Sequence, residues 1–111
     1  MITVRMTRSH NGDITSFTMD GHANYAGHGQ DIVCAGASAV AFGAVNAILT
    51  LTETQPGIEL GEDGGYLEVI IPDDLSKETH EKTQLLLEAM LVQLQTIEAD
   101  YGEFIKITFN R

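Results

Sequence analysis

Tryptophan is absent from this 111-residue chain, prolines number two, basic residues six, and there is one cysteine, Cys34. Each scarcity excludes something. A single cysteine makes no internal disulfide, so the fold needs no oxidising compartment. Arg5, Arg8, Lys77, Lys82, Lys106 and Arg111 are scattered and the formal charge is −10, which argues against a general nucleic-acid binder. Clustered cations for phosphate contacts are not there. The acidic excess maintains solubility, and long-range attraction for a basic partner is the sharper alternative.

Charge is also missing locally. Residues 32–52 carry none, and that length suffices for a membrane span. Ala, Gly and Ser dominate the first half of this run, and Asn46, Thr50 and Thr52 dilute the second. With few large apolar side chains it reads as a helix of a soluble protein, buried on most of its faces, and no membrane partner is expected. The first residues alternate as a strand does and lack the charged-then-apolar layout of a signal peptide. A cytoplasmic setting is expected.

What is present fits one domain over residues 1–111 with one core, 43% of residues being hydrophobic. Ile2, Val4 and Met6 alternate with Thr3, Arg5 and Thr7, as in a half-buried strand. Asn11-Gly12 suits a type I′ turn, with the returning strand over 13–20. Residues 23–30 form a loop with Gly27 and Gly29 as flexible points, and Asp31 caps a helix from Ile32 to about Thr52. Glycines in that helix cost roughly 1 kcal/mol each relative to alanine, so close packing is the expected compensation. A second hairpin follows over 58–60 and 66–71. Ser76 caps a helix to about Asp100 that ends on Gly102 at a C′ position. Along it Thr83, Leu87, Met90, Leu94, Ile97 and Tyr101 make one apolar stripe, widened by Leu86 and Leu91. A last strand spans 104–109. The order β-β-α-β-β-α-β makes an α+β domain, a mixed sheet packed with two helices.

Chemistry concentrates in Gly21–Ser38, which holds Cys34 with His22 and His28. On this reading the first hairpin delivers Gly21 and His22 at a strand end, a rigid mount for a catalytic group. Cys34 is the third residue of the helix, where unpaired N–H groups stabilise a thiolate and could also bind an oxyanion. The Asp31 carboxylate works against a neighbouring negative charge unless it orients His22 instead. Bland alternatives stand beside this. A lone cysteine in an Ala-rich helix is commonly a packing residue, His22 could be a turn histidine, and His28 reads as a solvated loop residue. Zinc could use His22, His28, Asp31 and Cys34, but their spacing matches no common site, so neither metal nor cofactor is expected.

Gly21-His22-Ala23, then Tyr25-Ala26, Gly29, Asp31-Ile32-Val33-Cys34-Ala35 and Ser38-Ala39, resembles the signature of the ribosomal-processing cysteine protease family, Prp. The resemblance extends over the whole chain in length and element order. It implies a small cytoplasmic cysteine endopeptidase that removes a short N-terminal extension from a large-subunit ribosomal protein. That extension would otherwise reach into the peptidyl-transferase region. By the same resemblance Cys34 is the nucleophile and His22 the general base; Asp31, Ser38, Gly21 and Gly29 are read beside them as supporting candidates. A homodimer and a mobile loop between His22 and Cys34 are also implied, and the width of the second helix's stripe leaves apolar surface for a partner. Two readings from other classes are a non-catalytic ribosome-assembly module with a structural Cys34 and a thiol redox sensor.

Overall fold

The computed structural model describes residues 1–21, 28–62 and 65–110, with the backbone alone at 28–31. Its elements are β1 (Ile2–Arg8), β2 (Ile14–Asp20), α1 (His28–Thr52), β3 (Gly57–Leu60), β4 (Tyr66–Ile70), α2 (Lys77–Tyr101) and β5 (Ile105–Asn110), in the expected order. The strands form one mixed sheet, β3-β4-β2-β1-β5, in which β1 runs antiparallel to β2 and parallel to β5. Alternation along β1 buries Ile2, Val4 and Met6 against the helices, while Thr3, Arg5 and Thr7 join Ser16, Thr18 and Asp20 on the open polar face.

Both helices lie over the apolar face. α1 turns Val33, Ala37, Ala41, Val45 and Ile48 into the core, and α2 contributes Leu87, Met90, Leu91 and Leu94. The expected stripe on α2 therefore holds, except that Tyr101 is 40% exposed where the helix runs past the sheet. Ser76 caps α2 as expected, its hydroxyl accepting from the Thr79 amide at 3.2 Å.

α2 also clamps the first hairpin through side chains one turn apart. His80 pairs with Asp13 at 2.8 Å. The Gln84 amide group bonds both the N–H and the C=O of Ile14, at 2.8 and 2.9 Å. Glu88 takes a two-pronged bond from Arg8 at 2.6 and 2.9 Å. These bonds reach β2 where it is irregular: the register with β1 shifts between Thr7 and Arg8, and Gln84 supplies partners there. The Arg8 hydrogen bonds hold the Glu88 carboxyl below its ordinary value of 4.5, against the opposing effect of burial. A depressed carboxyl stabilises the fold above its unfolded value, and that contribution is lost as pH falls through the folded one. Glu88→Gln should therefore lower neutral-pH stability by about 1 kcal/mol or less, since the carboxylate is 43% exposed, and the gap should close in acid melts below about pH 4.

Four local expectations are corrected. The hairpin turn is not type I′, because only Gly12 has positive φ (95°) and Asn11 does not. The Gly12 amide instead bonds the Ser9 carbonyl and the Ser9 amide bonds Asp13 C=O, giving a three-residue loop with Gly12 as its left-handed residue. Gly102 is right-handed (φ −60°) rather than a left-handed C′ glycine, because the chain leaves α2 through a further turn closed by the Phe104 amide on Tyr101 C=O. A methyl group at Gly36 would meet Ile97 at an ordinary 3.7 Å, and one at Gly43 would meet nothing within 4 Å, so close approach does not account for either glycine. Lastly, α1 is not buried on most faces. Within 32–52 its most apolar 18-residue window has a mean hydropathy of 2.0 and is 28% buried, with Ile32, Phe42, Leu49 and Leu51 exposed. One face meets the sheet and one flank meets α2, which leaves the rest uncovered.

Candidate active site

The site is built at one end of the sheet, where β2 stops. There Gly21 has φ of +150°, and a side chain on it would place Cβ 2.5 Å from the Met1 carbonyl oxygen and 2.8 Å from Ile2 Cα. No other residue fits without displacing the start of β1. The Gly21 amide donates to the Gly65 carbonyl at 2.9 Å, which ties the end of β2 to the approach to β4. Three backbone segments thus meet at Gly21 and fix the point from which the chain departs. The next residue, His22, lies outside the described residues, as does most of the expected loop that follows it.

Cys34 enters from α1. It is a free, half-buried thiol whose neighbours Val33 and Ala37 are in the core, so the helix is anchored on either side of it. With Gly21 it lines a small cleft of about 40 Å³, open to solvent, between α1 and the ends of β1, β2 and β4. Ser38 and Phe42 continue the α1 wall one and two turns beyond Cys34, and Ile2, Met19 and Leu67 form the apolar floor. The structure thus brings together Gly21, Cys34 and Ser38 from the sequence-derived set. Tyr66, at the rim, has its phenol pushed up from the ordinary value by lost hydration and then by Glu68, Glu59 and Asp20. It is protonated at neutral pH and offers no base to the thiol.

The helix start is corrected here. α1 begins at His28, so His28 and Gly29 are helical rather than loop residues, and Asp31 is inside the first turn rather than the N-cap. Cys34 is consequently the seventh residue of α1, and its amide is already engaged in the helical ladder. The free amides belong to 28–31, a turn before the sulfur, so the expected oxyanion donors are not those of Cys34's own turn. An aspartate is favoured both as a cap and within a first turn, so residue type alone did not separate the two starts.

Sequence reasoning missed the walls of the cleft. Phe42 was within reach of it, being eight residues from Cys34 and on the same flank of one helix. Ile2, Met19, Gly65 and Leu67 were not, because only the strand order brings them beside α1. Among the described residues, no group of three or more His, Cys, Asp or Glu is placed to hold a metal ion.

Comparison with known proteins identifies the arrangement. The family model for the cysteine protease Prp matches residues 1–106. The ribosomal processing cysteine protease Prp of Bacillus subtilis is 51% identical over 110 residues, covering 99% of this chain and 98% of that one. Its Staphylococcus aureus counterpart is 46% identical over 109 residues, covering 98% and 99%. Two crystal structures of Staphylococcus aureus Prp superpose over 99% of this chain and 100% of theirs. One, with a substrate peptide, has a TM-score of 0.89 at 44% identity, and the other, with a covalently linked product peptide, has 0.85 at 46%. With the family model matching nearly end to end and half the sequence shared with a full-length relative, this chain belongs to the Prp family and is a cysteine endopeptidase.

Proposed function

We propose that the chain removes the N-terminal extension of a bacterial large-subunit ribosomal protein, using Cys34 as nucleophile and His22 as general base. The observation that carries this is the placement of the half-buried Cys34 thiol in an apolar cleft whose rim is Gly21, the residue immediately before His22. A cleft open to solvent leaves the thiol accessible, and a strand end pinned by three backbone segments gives an adjacent side chain a fixed origin.

The chemistry is acyl transfer. His22 takes the Cys34 proton, sulfur adds to the scissile carbonyl, and the tetrahedral oxyanion collapses as His22 returns the proton to the leaving amine. The new thioester is then hydrolysed by water, which regenerates the thiol and releases the N-terminal segment as a carboxylic acid. A covalently linked product peptide on the Staphylococcus aureus relative supports this course. Asp31 and Gly29, both at the start of α1, and Ser38, on the cleft wall, are the supporting positions of this reading. No metal or cofactor is required by it. The formal charge of −10 favours approach of a basic ribosomal protein, the setting is cytoplasmic, and the active form is a homodimer.

Incubating the protein with the extended ribosomal protein and following intact mass tests the proposal. One N-terminal peptide should be released, with the remainder of the substrate intact, and an unchanged substrate mass rejects the function.

A further inference from the structure

The start of the chain lies along the rim of the Cys34 cleft. The register of β1 with β2 closes at Thr3 opposite Asp20, and beyond it Met1 and Ile2 rest on Gly21. Their main chain fills the space a side chain at 21 would take, the Met1 oxygen at 2.5 Å and Ile2 Cα at 2.8 Å. On the other side the Ile2 amide donates to the Phe104 carbonyl at 2.8 Å, and pairing with β5 begins at Ile2 opposite Ile105. The strand is therefore held from both sides up to its first residue. Ile2 is 2% exposed and belongs to the cleft floor, whereas Met1 at the sheet's end is 56% exposed. Ile2, Val4 and Met6 face the helices, and Thr3, Arg5 and Thr7 the open side. Continued backwards, this alternation puts Met1 on the open side and a residue immediately before Met1 on the helix side, about 7 Å along from Ile2. That is the side of Cys34, and the position lies beyond the cleft floor, over its mouth. A residue one step earlier faces away again.

We infer that the Cys34 site is open to inhibition in cis by its own N-terminus: a large side chain carried immediately before Met1 covers the cleft and shuts off the thiol. The cleft is small, about 40 Å³, so one side chain is enough to cover it. A group tethered this closely acts at an effective concentration of about millimolar, so it needs little affinity of its own. Trimming such a chain back to Met1 uncovers the thiol and switches the site on. Blocking of the thiol is independent of the chemistry Cys34 performs. Loss of peptide turnover, by contrast, rests on the proteolytic role proposed for it.

Three chains test this, each released from a removable fusion partner so that its first residue is defined. One starts at Met1, one carries glycine then phenylalanine before Met1, and one carries phenylalanine then glycine. Thermal melts establish that all three fold, with leucine replacing phenylalanine should an extended chain not melt cooperatively. Two rates are measured on each: alkylation of Cys34 by iodoacetamide, followed by intact mass, and cleavage of a peptide spanning the processing site of the extended ribosomal protein. With phenylalanine immediately before Met1 both rates should fall about tenfold, and with phenylalanine one position earlier both should stay within about twofold of the chain starting at Met1. Equal rates in all three chains overturn the inference. So does an equal loss in both extended chains, since obstruction by bulk alone does not follow the alternation of a strand. Slower turnover with alkylation unchanged also overturns it, because the thiol is then uncovered. If alkylation follows the alternation and no chain cleaves the peptide, the inference stands and the protease reading fails.

Discussion

Cys34→Ala is expected to reduce release of the N-terminal peptide by about a thousandfold or more while leaving the fold intact. Loss of an activated nucleophile removes the covalent route altogether, and binding in the cleft alone provides little chemistry. Stability is expected to be nearly unaffected. The side chain is half-buried beside the core, and exchanging its thiol for hydrogen removes one heavy atom next to an open cleft, so any lost packing costs about 1 kcal/mol or less. A structural role for Cys34 predicts the reverse, with a measurable drop in Tm and activity retained. Turnover and melting temperature, measured on the same sample, separate the two.

His22→Ala should reduce turnover by roughly a hundred- to ten-thousandfold, the usual contribution of a positioned general base. The fold should be retained, because the contacts that fix the end of β2 belong to the Gly21 backbone, Met1, Ile2 and Gly65 rather than to the next side chain. Added imidazole should restore part of the activity to this variant and none to Cys34→Ala, since a diffusible base can replace a missing proton acceptor but not a missing sulfur. Unchanged turnover in His22→Ala would remove it as the base.

Much of this architecture is legible in the residues because periodicity and packing agree. β1 and α2 show it best: the alternation of Ile2, Val4 and Met6 and the stripe from Thr83 to Leu94 become the two sides of one core. The errors fall where several local solutions have similar energy. Asn-Gly fits more than one tight turn, and the choice of a three-residue loop is made by pairing between Ser9 and Asp13. Likewise the start of α1 moves from Asp31 to His28, because neither a glycine nor an acidic residue marks a boundary by itself. For α1 the small residues hid which faces are buried: alanine is tolerated both in the core and in water, so the run 32–52 has composition without a strong period.

The candidate site divides in the same way. Cys34 and Ser38 are one turn apart on one helix and could be placed together by spacing, and Gly21 could be placed at a strand end. Leu67 could not, since its position beside α1 depends on β4 inserting next to β2. That long-range pairing turns an isolated thiol into one wall of a cleft. Cys34 is a turn beyond the free amides of the helix start, so the proposed mechanism assigns its activation to His22 rather than to the helix end.

The central claim is that Cys34 carries the acyl group, and the most direct test is rapid acid quenching of the protein during cleavage of the extended ribosomal protein, followed by intact mass and peptide mapping. The account predicts a transient adduct equal to the N-terminal segment less one water, on the fragment containing Cys34, decaying as free peptide accumulates. Cleavage with no adduct on that fragment, or with the adduct on another residue, would contradict it.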